Sequence, residues 1–186
     1  MNRITFSVPN TVSGSHDGAL IPPMQDSNSY ASREDVMDLP LPALLCDLIH
    51  AGIWPAEGSA VWAQYRRPLA SAERVRRFAA EEKEIHLFSP PFRTVADEIA
   101  SAPVVVVNEF WKRFGALDEI VAEKALILGD FGLGSDAPII LNYAVDTFDP
   151  PVFRLRWTDN QPTKWVQGAR NFGEFVSLLG LDEGVA

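Results

Sequence analysis

The sequence predicts an α+β fold: one domain in which an antiparallel β-meander is packed by helices. Three observations lead there. Capped segments with apolar residues recurring at three and four lie between residues 41 and 114. Short apolar or alternating runs, separated by turns rich in Gly, Asp and Pro, fill most of the last third. The length of 186 residues, with 47% hydrophobic and 22% charged, suits one globular domain that needs neither disulfide nor metal for stability.

Residues 1–37 read as an N-terminal arm, mobile or adding one edge strand through the alternating Ile4-Thr5-Phe6-Ser7-Val8; the folded domain is expected over 38–186. Leu41-Pro42 opens a helix with Leu44, Leu45, Leu48 and Ile49 on one face, and Gly52 ends it. Ser71 caps a second helix that buries Val75 and Phe78. Its Arg74, Arg76 and Arg77 lie within helical pairing distance of Glu73, Glu81 and Glu82, which predicts a self-neutralising solvated face. Ile85–Phe88 is a short strand closed by Pro90-Pro91, and Thr94 with Asp97 caps a third helix. Val104–Val107 fits either a buried strand or the start of a helix running through Phe110, Trp111 and Phe114.

In the last third, Ala125–Leu128 and Pro138–Tyr143 are expected strands joined by a bulged glycine loop. Gly129, Gly132 and Gly134 permit positive φ or close approach there. Val152–Trp157 alternates, which predicts Phe153, Leu155 and Trp157 in the core and Arg154 and Arg156 in solvent. Asp159–Pro162 is a turn, Trp165–Gln167 the returning strand, and Asn171 with Glu174 a capping box for a final helix stopped by Gly180.

The formal charge is −9 and uneven: residues 1–93 carry 9 basic and 11 acidic groups, residues 94–186 carry 7 and 14. A surface of that sign repels phosphates, so no nucleic-acid partner is expected; it attracts a cationic partner or simply keeps the protein in solution. No apolar run is long enough for a membrane span and no secretory signal is evident. The single cysteine, Cys46, lies in an apolar helical pattern and reads as a buried thiol in a reducing compartment, hence a cytoplasmic protein.

Motifs of chemistry are absent or out of context. Asp130-Phe131-Gly132 matches a kinase magnesium triplet, but the glycine-rich loop, strand lysine and catalytic His-Arg-Asp are missing. Gly132-Leu133-Gly134 lacks the third glycine of a dinucleotide fingerprint and lies between strands. His16, His50 and His86 have no metal-ligand spacing, so no metal and no cofactor are expected. Asp130 and Asp136 read as turn carboxylates; acid–base roles for them are the enzymatic alternative, without the partners such a site needs. The chain is therefore expected not to be an enzyme.

The stretch Gly129-Asp130-Phe131-Gly132-Leu133-Gly134-Ser135-Asp136-Ala137-Pro138-Ile139-Ile140-Leu141-Asn142-Tyr143 resembles the signature of the SUKH superfamily, the Smi/Knr-type domains. The resemblance continues through Val152–Trp157, Trp165-Val166 and the Asn171–Leu181 helix, and upstream through 40–55 and 90–94, covering roughly residues 38–182. Members often have Asp where this chain has Asn142. The resemblance implies a domain that works by binding, with no catalytic residue to carry over. Many bacterial members are immunity proteins that neutralise toxins, and eukaryotic relatives are regulatory scaffolds. The expected function is thus a cytoplasmic immunity protein for a toxin, basic in the simplest case; the alternative is a regulatory scaffold or small-ligand-binding domain. Acidic groups after residue 94, among them Asp130, Asp136, Asp146, Asp149 and Asp159, are the candidate partner-binding residues, and Gly129, Gly132 and Gly134 the structural loop.

Overall fold

The computed structural model describes residues 35–36, 39–101, 105–132, 137–157 and 162–184. A two-residue hairpin comes first, β1 (Asp35–Val36) against β2 (Leu39–Pro40). Then follow α1 (Ala43–His50), a 3-10 helix over Val61–Tyr65, α2 (Ala72–Phe78), β3 (His86–Leu87), α3 (Val95–Ser101) and α4 (Val105–Gly115). The remainder is β4 (Ala125–Asp130), β5 (Ile139–Asn142), β6 (Val152–Arg156), β7 (Lys164–Ala169) and α5 (Phe172–Leu179). Strands β3 to β7 form one antiparallel sheet in chain order. The fold is α+β with a meander, as the sequence predicts.

Helices cover both faces of this sheet. Leu126, Leu128, Ile139, Leu141 and Val152 point into a core shared with Leu45 and Leu48 of α1, Val75 and Phe78 of α2, and Phe172, Phe175 and Val176 of α5. Ala125, Ile127, Ile140 and Leu155 point the other way, into a smaller core with Val95 of α3, Phe114 of α4 and Trp165 of β7. Strands β4 and β5 are accordingly apolar at every one of these positions, as strands covered on both faces must be. Trp165 ties β7 to α4, its Nε1 donating to the Phe114 carbonyl at 2.8 Å.

Local signals set most of the boundaries. Thr94 Oγ1 accepts from the Asp97 N–H at 3.1 Å while the Asp97 carboxylate accepts from the Thr94 N–H at 2.8 Å, a reciprocal cap for α3. Asn171 Oδ1 accepts from the Glu174 N–H at 2.9 Å and Gly180, at φ 66, stops α5. Glu174 reaches one residue further back than a capping box requires and accepts from the Arg170 N–H. The Val104–Val107 ambiguity resolves as helix from Val105 onward.

Four expectations are corrected. Arg154, expected in solvent, is 8% exposed, because the face of β6 opposite Leu155 is itself covered. Its guanidinium lies over the Phe131 ring and donates from Nη1 to Glu81 Oε1 at 2.7 Å. Trp157, expected in the core, follows the last residue of β6 and is 41% exposed, its ring against Phe114 and Phe110. The α2 arginines do not neutralise themselves throughout: Arg77 pairs with Glu73, but Arg74 crosses to Glu183 and to the Gly180 carbonyl, joining α2 to the end of α5. Cys46 is half-buried rather than fully buried. The Ile4–Val8 strand and the Asp159–Gln161 part of the expected turn lie outside the described residues.

Candidate partner-binding surfaces

Strand β4 runs from Ala125, paired with Asn142, to Asp130, paired with His86. Asp130 therefore stands at one end of the sheet, while the segment between β5 and β6, with Asp146 and Asp149, stands at the other. The sheet does not bring these three candidates together. Asp136, Asp159 and Gly134 lie outside the described residues.

At the Asp130 end the glycines have separate jobs. β3 crosses so close to Gly129 that a Cβ there would sit 2.1 Å from the His86 carbonyl oxygen. The ladder is bulged between Ile127 and Gly129. Gly132 has φ 90, a conformation open to glycine but strained for other residues. It donates its N–H to Asp130 Oδ1 at 2.9 Å, the local turn bond expected of an Asp in a glycine loop. Asp130 Oδ1 also lies 3.6 Å from Nδ1 of the buried His86, and Tyr65 stands edge-on to that imidazole, ring centroids 4.1 Å apart. Partial desolvation first, then the charges of Asp130 and Glu84, push the Tyr65 phenol above its ordinary range. Beside it Trp62 is 59% exposed, with the Arg66 guanidinium 5.0 Å above its ring.

At the opposite end Asn142 is fully buried and acts as a joint. Its Nδ2 donates to the Glu119 carbonyl at 3.0 Å and its Oδ1 accepts from the Ala144 N–H at 3.2 Å. Tyr143 donates its N–H to the Lys124 carbonyl, so residues 119–124 lie alongside the start of the β5–β6 segment. Asp146 Oδ1 accepts from the N–H groups of Phe148 and Asp149 at 2.8 and 3.0 Å, which holds its carboxyl below the ordinary range. Asp149 accepts from Asn171 Nδ2 at 2.9 Å, tying the segment to the start of α5.

Five carboxylates, Asp118, Glu119, Glu123, Asp146 and Asp149, are exposed around this end, and none is in an ion pair among the described residues. Lys124 is the one cation in the same two segments, 117–124 and 144–149. Val121 and Val145 are exposed among them, and Phe148 is 94% exposed. Sequence reasoning finds Asp146 and Asp149 but misses Phe148. The available signal was an aromatic set inside turn chemistry, Asp146-Thr147-Phe148-Asp149-Pro150, where no neighbouring periodicity can bury it.

Chemically, this end offers uncompensated negative potential around an apolar tip, and the Asp130 end offers aromatic and carboxylate groups on a braced edge. Among the described residues no three His, Cys, Asp or Glu side chains are grouped to hold a metal ion, and no helix is long and apolar enough to cross a membrane. Compared with protein-family models, curated proteins and solved structures, the chain matches none.

Proposed function

We propose that this chain is a non-catalytic binding protein of the SUKH type: a cytoplasmic immunity protein that neutralises a cognate cationic toxin by covering its working surface. The observation that carries this reading is the set of five exposed carboxylates around the β5–β6 end, outside any ion pair within the described residues and joined there by a single lysine. Exposed like charges held together destabilise a fold slightly and speed encounter with a partner of opposite sign. Nuclease toxins that bind phosphates are basic for the same electrostatic reason that this surface is not. The exposed Trp62 and Tyr65 beside Asp130 and Glu84 supply a second patch of the residue types that dominate protein interfaces.

Co-expression of candidate toxins encoded beside this gene, with and without the chain, tests the reading by growth. Rescue is expected for one cationic toxin. Association of that pair should slow steeply with added salt, since the attraction is screened over about 8 Å at physiological ionic strength, while dissociation changes little. Failure to rescue growth from any of them, together with recovery of only wall-synthesis or signalling proteins in a pull-down, would replace the immunity reading with that of a regulatory scaffold.

A further inference from the structure

We infer that Phe148 is the anchor of the partner interface, seated on binding in an apolar pocket of a basic protein face. The inference rests on the binding reading above and names the residue and the chemistry through which it acts. Phe148 is 94% exposed, which leaves an entire aromatic ring in water. Its position is not that of a slack loop. Asp146 fixes the backbone on the near side by accepting the N–H groups of Phe148 and Asp149. Asn171 fixes the far side through Asp149, and the buried Pro150 and Pro151 follow. The ring is thus presented on a braced turn, so little ordering entropy remains to be lost on binding.

The surroundings say what covers it. Val145, 62% exposed, lies on the same turn and Val121 on the segment alongside it, and the exposed Asp118, Glu119, Glu123, Asp146 and Asp149 belong to these two segments. An apolar centre with a polar rim is the anatomy of a binding hot spot. A rim of one sign selects the partner. A second copy of this chain would bring the same carboxylates against themselves, and an anionic lipid surface would be repelled. A face carrying Lys and Arg around a hydrophobic pocket meets both requirements.

The test works before any partner is identified. A phage-displayed library of random dodecapeptides is selected on the full chain, with Phe148→Ser as the control surface. The expected peptides combine Lys or Arg with aromatic or aliphatic residues, and bind wild type about tenfold or more tighter than F148S. They shift amide resonances within 118–124 and 144–149. Because the ring is exposed, F148S is expected to leave the unfolding midpoint unchanged, so lost binding is not lost fold. Peptides that bind both proteins equally, that shift amides elsewhere, or that fail to enrich above the F148S background overturn the anchor. A toxin neutralised equally by wild type and F148S also overturns the anchor while leaving the immunity reading standing. Peptide binding that depends on Phe148, in a chain that protects against no toxin, supports the anchor and removes the immunity reading.

Discussion

Gln64 holds Leu87 by both of its backbone groups. The side-chain amide donates from Nε2 to the Leu87 carbonyl at 2.7 Å and accepts the Leu87 N–H on Oε1 at 2.9 Å, 23 positions away in the chain. The amide imitates a neighbouring strand along β3, the first strand of the sheet order. An unpaired sheet edge is a template for association with other chains, and this contact closes it over one residue. Gln64→Ala should cost about 1–3 kcal/mol, the usual penalty for stranding buried polar groups. It should also raise the concentration-dependent scattering of the folded protein. Chemical unfolding and static light scattering report the two effects separately.

Arg154 and Leu155 are neighbours on opposite faces of β6, and both are buried. Leu155→Ala opens the smaller core and should cost roughly 2–5 kcal/mol. Arg154→Ala removes the cover over Phe131 and leaves Glu81 without its partner, and a loss of about 1–3 kcal/mol is expected. A strand wet on one side would make the arginine change nearly silent. Denaturant midpoints of the two variants distinguish these arrangements.

The same ion pair sets part of the acid response. Burial pushes the Glu81 carboxyl up. The hydrogen bond from Arg154, a backbone bond and the charges of Arg154 and Arg156 outweigh that and hold it below its ordinary value of 4.5. A folded-state value below the unfolded one means stabilisation that is present above pH 4.5 and lost as pH falls through the folded value. Glu81→Gln should therefore be less stable than wild type near neutrality, and the gap should narrow on acidification below pH 4.5. A gap that widens in acid would reverse the sign assigned here.

Gly129 and Gly132 should respond differently to the same substitution. Gly129→Ala drives a methyl into the His86 backbone carbonyl, a clash that no side-chain rotation relieves, and should cost about 3 kcal/mol or more. Gly132→Ala meets the strain of its positive φ and the His86 ring edge at 3.0 Å, for about 1–2 kcal/mol. Thermal or denaturant unfolding of the pair should rank them in that order.

Much of this architecture was legible because its signals are local. Thr94 with Asp97, Ser71, Asn171 with Glu174, and Gly180 each mark a helix boundary within four residues of themselves. The continuous apolar runs of β4 and β5 marked them as strands, and the structure covers both of their faces. The alternation of Phe153, Arg154, Leu155 and Arg156 suggested one wet face instead, because periodicity records polarity and not cover. The partner that makes burial of Arg154 tolerable is Glu81, 73 positions away. The candidate surface was half legible. Asp146 and Asp149 follow from charge, but the anchoring of the Phe148 turn depends on Asn171, 22 positions beyond Asp149.

Because the strand order of the sheet equals the order of synthesis, each strand finds its neighbour already made as the polypeptide leaves the ribosome. Helix α2 has no such convenience. Its Val75 and Phe78 pack in the core that α5 completes, and Arg74 waits for the Gly180 carbonyl, 106 positions later. At elongation rates of roughly 5–20 residues per second, that interval is of the order of ten seconds. For that time one face of the nascent sheet lacks α5, and the apolar side chains that α5 covers stay open to proteases and holdase chaperones.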